Sequence, residues 1–387
     1  MHQEQYIAQF VQHSESTITK VVELLNEGAT IPFIARYRKG MTGGMDEVDL
    51  QLIKQSKADF DQIIKRQESI LKAIDKQEKL SKDLEVKIKS TFVLETLEDI
   101  YLPFKEKRQT KAEKARQAGL ESLAKQIMAQ NNNDPEVMAE RYVSNDVSFE
   151  DVLDGASAII SEWVCENEKV RARLRETFAK YAVIQTKLVK SKESEGEKFK
   201  DYFEHQEGVR KVPSHRMLAM LRGKNEGVLR LSVRPEEEGC LQFLERFFIR
   251  REGKESDFLR KVLSNAYKKT LRPALEKELL SALKVKADLK AIKVFGKNLE
   301  QLLLAAPIGQ KRVLAIDPGY KSGCKVVCLD AQGNLLHNCN IYPHAPQKEM
   351  GKAKSKIFQL VDAYKIECIA IGDGTAGRET EGMIKHM

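Results

Sequence analysis

Little in this 387-residue chain invites metal or disulfide chemistry. Histidine occurs seven times, and Cys165, Cys240, Cys324, Cys328, Cys339 and Cys368 form no Cys-x-x-Cys pair. That pattern argues against a structural zinc site and for reduced thiols in a cytoplasmic protein. Long apolar runs are missing too. The longest, at 302–306, falls far short of the ~20 residues that a membrane span needs, so no membrane association is expected. The first residues, Met1 to Gln5, lack the basic start and apolar stretch of a secretory signal. Lys39-Gly40 and Gly43-Gly44 do not sit in a Gly-x-x-x-x-Gly-Lys-Ser/Thr run, which excludes a Walker phosphate loop and leaves helix breaking as their role. No Gly-x-Ser-x-Gly elbow accompanies His215, so serine hydrolase chemistry is unsupported. No period repeats along the helical segments, which argues against a solenoid.

What the chain does have is charge. Lys and Arg number 65 against 57 acids, a formal net charge of +8, and the excess is unevenly placed. One basic stretch holds Lys105, Lys107, Arg108, Lys111, Lys114 and Arg116 against Glu106 and Glu113. Another holds Arg210, Lys211, His215, Arg216 and Arg222, followed by Lys224, Arg230 and Arg234. A third, Arg36, Arg38 and Lys39, lies between Pro32 and the glycines. Clusters of this kind suit a polyanion, because each phosphate contact releases counterions. The competing reading is a solvated helix face, or for Arg36, Arg38 and Lys39 ion pairs with Asp46, Glu47 and Asp49. His215 and Arg216 fall at a helix start, able to bind phosphate or to pair with a neighbouring domain.

Apolar residues make up 42%, ample for two or three domains with their own cores. Residues 1–181 read as helical. The spacing predicts helices at 5–11, 18–25, 46–79, 84–100, 112–129, 135–142 and 151–181, with Pro32 opening another. In the 46–79 helix, Lys57 and Gln67 interrupt the apolar seam, which favours packing against sibling helices over a coiled coil. Strands are expected at 182–189 and 227–233, with a charged linker at 190–198. Helices return at 256–286, interrupted near Pro273, and at 290–305.

Residues 311–387 carry the chemistry-bearing pattern. An apolar strand, 312–317, ends on Asp317 and runs into Pro318-Gly319, which sets a carboxylate beside approachable backbone. Strands follow at 323–330 and 335–341 across a Gln332-Gly333-Asn334 turn, then a polar helix at 347–364. A fourth strand, 366–371, ends in Gly372-Asp373-Gly374. Three strands in a meander, a helix and a strand returning beside the first make the opening half of a ribonuclease-H-like fold. Such a sheet still needs a strand and a covering helix, so a longer parent chain is expected. Asp317 and Asp373, at the ends of neighbouring strands, are the candidate catalytic pair. With a third acid beyond Met387 they would hold Mg²⁺ for phosphodiester hydrolysis; otherwise no cofactor and no metal site is expected. Asp317 is equally well read as a turn residue. A further alternative places phosphates on the backbone of Gly319, Lys321, Ser322 and Gly323, as in sugar-kinase or actin-like nucleotide sites.

Several stretches resemble the Tex family of bacterial transcription accessory proteins. Residues 31–39 read Ile-Pro-Phe-Ile-Ala-Arg-Tyr-Arg-Lys, residues 97–104 read Leu-Glu-Asp-Ile-Tyr-Leu-Pro-Phe, and residues 213–219 read Pro-Ser-His-Arg-Met-Leu-Ala. Residues 317–325 and 371–380 are similar to that family's YqgF-type, ribonuclease-H-like domain. The family's pattern carries an amide where this chain has Asp373, a departure that adds a carboxylate. The resemblance implies a multidomain, mainly α protein: a helical N-terminal domain over 1–185, a mixed but mostly helical central region over 186–310, and a YqgF/ribonuclease-H-like α/β domain over 311–387, incomplete at its C-terminus. It also implies a factor of transcription or RNA metabolism that binds RNA, DNA or both, mostly through phosphates. The alternatives are a metal-dependent nuclease or resolvase, and a scaffold that contacts RNA polymerase or ribosomes. The family's helix-hairpin-helix module and OB-type RNA-binding barrel have no counterpart in these residues.

Overall fold

The computed structural model describes all residues except 107–109, 144–147 and 321. The chain forms two compact units, residues 1–293 and 294–387. Among the described residues there are 17 α-helices and two small sheets, the mainly helical architecture with a closing α/β unit that the sequence implies.

The first unit begins with helices Gln3–Ile7, Glu15–Asn26, Ile31–Tyr37 and Glu47–Asp75. Caps set where they start. The Ser14 hydroxyl accepts from the Thr17 amide at 3.3 Å, and one Asp46 carboxylate oxygen accepts from the Val48 and Asp49 amides at 2.9 Å each. Ile7, Ile18, Val21, Ile34, Leu50 and Ile53 share one core, and further along the long helix Phe60, Ile63, Ile70 and Ile74 meet Ile88 and Leu97 in another. Gln67 sits buried on that seam because its amide donates to the Thr91 carbonyl at 2.8 Å.

Several helix boundaries differ from the sequence expectation. The segment 84–100 is two helices, Lys82–Ser90 and Leu94–Tyr101, parted at Thr91, whose backbone is extended. The segment 112–129 breaks into Lys111–Gln117 and Glu121–Ala129 at Gly119, which takes a φ of +78° that favours glycine. The segment 151–181 becomes Phe149–Glu166 and Glu168–Tyr181. Asn167 leaves the helical backbone, and its side chain accepts from the Val170 amide at 3.1 Å to start the next helix. The break expected before 290 does not occur, and the interruption expected near Pro273 takes the form of a π-turn. A single wide π-turn, Tyr267–Leu271, joins helix Lys254–Ala266 to helix Arg272–Leu303, and it accommodates a proline that would otherwise clash one turn back.

A three-stranded antiparallel sheet, in the order Glu204–Gly208, Val183–Leu188, Leu229–Arg234, lies over helix Ser214–Asn225 and residues 279–287 of the long helix. Glu204–Gly208 is almost wholly polar and gives no alternating apolar signal, which is why it reads as loop in the sequence. Helix Glu237–Phe248 is a second element not anticipated.

In the second unit the strand order is Leu335–Ile341, Cys324–Leu329, Val313–Asp317, Cys368–Ile371. The first three are antiparallel neighbours, and Cys368–Ile371 runs parallel to Val313–Asp317. This is the meander, crossover and returning strand expected. Leu314, Ile316, Val326 and Cys328 pack against Ile357 and Leu360 of helix Met350–Ala363 and against Met383 of helix Gly377–Lys385.

Candidate nucleic-acid interface

The three basic stretches meet different fates, decided by the positions of neighbouring acids. Arg36, Arg38 and Lys39 close the short helix Ile31–Tyr37 and start the turn after it, and all three are exposed. That turn is tied down. The Gly44 amide donates to the Lys39 carbonyl at 3.0 Å, the Met41 amide to the Arg38 carbonyl at 2.9 Å, and Thr42 and Met45 are buried beneath it. Gly43 and Gly44 both adopt positive φ, at +62° and +80°, within this turn; the helix has already ended at Tyr37, so they shape the turn and do not break the helix.

Of the three acids expected to neutralise this stretch, two are spent elsewhere and Glu47 lies exposed in the first turn of the next helix. Asp46 caps helix Glu47–Asp75, and Asp49 holds His13 at 2.9 Å. Among the described residues no carboxylate stands within ion-pair distance of Arg36, Arg38 or Lys39. Phe33 and Tyr37, one turn apart, lie beside these cations with ring centroids 5.4 Å apart, and the Arg38 guanidinium rests 5.3 Å from the Phe33 centroid. The sequence expectation passed over both rings, although the aromatic i, i+4 spacing among basic residues was legible.

In the second stretch Lys105, Lys111 and Lys114 are exposed with no acid partner among the described residues. Lys107 and Arg108 lie outside the described residues. Arg116 is committed to structure, with Glu162 at 2.5 Å and Glu113 at 3.4 Å. Burial alone would lower its pKa, but these hydrogen bonds outweigh that and raise it.

The third stretch divides. Arg210, Lys211 and His215 are exposed around the start of helix Ser214–Asn225, whose first turn carries no acid. Arg216 donates to Glu207 at 3.0 Å and Arg222 to Glu226 at 2.8 Å. Glu226 also takes Lys198 at 2.6 Å, and the hydrogen bonds from Lys198 and Arg222 lower its pKa.

At the sheet of the second unit, the Gly372 amide donates to the Ile316 carbonyl at 2.9 Å, so the strand ends bearing Asp317 and Asp373 lie side by side. Both carboxylates are exposed. Lys325, directly opposite Asp317 on the adjacent strand, brings its ammonium to 3.8 Å from that carboxylate. Asp373 borders a cleft of about 550 Å³ with Arg378, Glu381 and Lys385, and Asp317 is not part of its lining. No group of three or more His, Cys, Asp or Glu side chains is arranged to hold a metal ion among the described residues. Lys321 is outside them as well. A network that sequence patterning did not reveal braces these loops. His344 and the buried Thr380 hydroxyl lie 2.7 Å apart, Thr380 donates to the Ala376 carbonyl at 2.8 Å, and the Tyr320 hydroxyl donates to Glu379 at 3.1 Å. The bond to Glu379 raises the Tyr320 pKa.

A chain of packed helices with uncommitted basic turns, closed by an α/β unit of ribonuclease-H-like strand order, defines a class of multidomain helical proteins with a YqgF-type module. Residues 1–75 match the Tex-like protein N-terminal domain, 130–295 the Tex central region-like family, and 311–387 the Tex protein YqgF-like domain. The chain belongs to the Tex family. It is 40% identical over 371 residues to the transcriptional accessory protein Tex of Neisseria gonorrhoeae, covering 94% of this chain and 48% of that protein. Protein tex of Bordetella pertussis is 37% identical over 389 residues, 96% of this chain and 49% of its own length. The human S1 RNA-binding domain-containing protein 1 is 30% identical over 380 residues, 93% of this chain and 38% of its own. The chain spans about half the length of the bacterial relatives.

Proposed function

We propose that this chain is the phosphate-gripping portion of a cytoplasmic accessory factor in transcription or RNA metabolism, binding RNA or DNA without base readout and working beside RNA polymerase or the ribosome. The observation that carries this reading is the trio Arg36, Arg38 and Lys39. These cations stand on a hydrogen-bonded turn, while Asp46 and Asp49, two of the acids that follow them in sequence, are engaged elsewhere. An unneutralised cluster of cations on a fixed backbone raises the local positive potential and suits an external anion. The names of two relatives, a transcriptional accessory protein and an S1 RNA-binding domain-containing protein, support the same role. Lys105, Lys111, Lys114, Arg210, Lys211 and His215 extend the phosphate-binding surface. Arg216 and Arg222 contribute less, because their charge is already paired.

Phosphodiester hydrolysis is not assigned to Asp317 and Asp373. A two-metal centre needs several carboxylates converging on ions about 3.5–4 Å apart. Here two exposed acids stand at the strand ends, one with a lysine 3.8 Å away.

The test is a salt titration of binding to labelled RNA and DNA by the wild type and the Arg36→Ala/Arg38→Ala/Lys39→Ala variant. Contacts to single strands contribute about −0.7 each to the slope of log K against log salt, so the variant should flatten it by roughly 2. An unchanged slope would remove the trio from the interface.

A further inference from the structure

We infer that the turn of helix bearing Phe33 and Tyr37 is a stacking platform for an unpaired nucleobase, so that this end of the chain selects single-stranded nucleic acid over duplex. The inference rests on the phosphate-binding reading of Arg36, Arg38 and Lys39 and names what lies between the phosphates. Tyr37 is 67% exposed and Phe33 39%, in a chain whose aromatics make up only 7% of residues. A ring pair left this open contributes little to the core. As an i, i+4 pair it stabilises its own helix by only about 0.2–0.5 kcal/mol.

Three features make it a receptor surface. The rings are tilted at 44° to one another, not closed face to face, so the outer face of Tyr37 is free. The Arg38 guanidinium already lies over Phe33 and extends the flat surface with a positive edge. Phe33 and Arg38 also border a cleft of about 440 Å³ with Leu24, Glu27 and Thr30, of a size suited to a small planar group. Arg36 and Lys39 are exposed before and after Tyr37 in the chain, and the hydrogen bonds at the Arg38 and Lys39 carbonyls hold the turn that follows the rings.

Flat π-surface between cations is the chemistry by which proteins hold single strands: bases stack on rings and phosphates sit on the charges. In a duplex both faces of each base are covered by neighbours, so Tyr37 has nothing to stack on and only the phosphate contacts remain.

The experiment uses the full 387-residue chain and fluorescence anisotropy with a labelled oligouridylate and a labelled RNA hairpin duplex at several salt concentrations. Wild type should prefer the single strand. Tyr37→Ala should weaken single-strand binding by about 5- to 100-fold, the loss of one stacked base, with duplex binding unchanged within twofold. Its salt slope should match the wild type, since no phosphate contact is lost. Tyr37→Phe keeps the ring and should keep the affinity; because Tyr37 is exposed, circular dichroism should show all variants folded. If wild type binds both probes and Tyr37→Ala binds the single strand as well as wild type does, the platform is refuted while the phosphate-binding reading stands. If wild type binds neither probe, both fall.

Discussion

The strongest stability prediction concerns Asp99, a carboxylate only 3% exposed inside the 97–104 stretch. Arg171 donates to one of its oxygens at 2.5 Å and Arg175 to the other at 2.8 Å, and Arg175 also reaches Glu278. Asp99 thereby joins helix Leu94–Tyr101 to helix Glu168–Tyr181, and Arg175 carries the link on to helix Arg272–Leu303 through Glu278. Asp99→Ala would leave two guanidinium groups facing a buried void. Breaking a buried pair by removing one partner costs roughly 3–5 kcal/mol. The lower end applies here, because the Arg175 side chain is 25% exposed and keeps Glu278, whereas the Arg171 side chain is 12% exposed. We therefore expect about 3 kcal/mol of destabilisation, which for an m-value of roughly 3 kcal/mol/M moves the urea midpoint down by about 1 M. Asp99→Asn keeps the shape and loses the charge, so it should fall between. The double variant Asp99→Ala/Arg171→Ala should cost less than the sum of the singles, since it removes a stranded charge with its partner. A shift for Asp99→Ala within about 0.5 kcal/mol of zero, the range of ordinary surface substitutions, would refute the claim that this acid ties the helices together.

Three further outcomes are expected. Gly377→Ala should destabilise the second unit by about 1–3 kcal/mol, because a Cβ there would stand 2.7 Å from the Gly372 carbonyl oxygen, a backbone atom that cannot swing aside; a melt indistinguishable from wild type would contradict this. Cys165, buried and with its thiol pushed up to about 11 by burial, should resist alkylation at pH 8 in the native protein and react once unfolded, as mass spectrometry would show. Glu226 and Glu252 have their pKa values lowered by Lys198 with Arg222 and by Arg260 respectively, so the stability they contribute is present above the ordinary Glu range of about 4.3 and lost as pH falls through their folded values. Replacing both with Gln should shrink the acid-side loss of stability, and an unchanged acid limb would count against the pairs.

The sheet of the second unit is legible because its strands alternate or run apolar and each is bounded on at least one side by glycine, aspartate or asparagine. The helical half was legible in type but not in punctuation. Gly119 and Asn167 break helices through a positive φ and a side-chain cap, local events that an apolar period runs straight across. Pro273 signals an interruption, but not its form, a wide turn that keeps the helical run going. The basic stretches were visible as charge, but charge in a sequence does not say which cations are spoken for. Arg116, Arg216 and Arg222 lie near acids that fold back onto them, whereas Asp46 and Asp49, close in sequence to Arg36, turn away to a helix cap and a histidine. Pairing of this kind depends on which way a helix faces.

The long helical run from Lys254 onward turns Leu259, Leu263, Tyr267, Leu271, Leu275, Leu279, Leu283 and Ala287 inward, every fourth residue, with Leu279 and Leu283 half-buried and the others buried. Four residues overshoot a turn by about 40°, so this stripe is a slow screw thread, and from Leu271 to Ala287 it travels about 160° around the axis. The rod thus shows nearly opposite sides to its two sets of neighbours: the helical core at one end, the underside of the small sheet at the other. It needs no kink to change partners. Melting either core would strip half the support from the same rod, and the two cores should be lost together, with the thread acting as the axle that gears them.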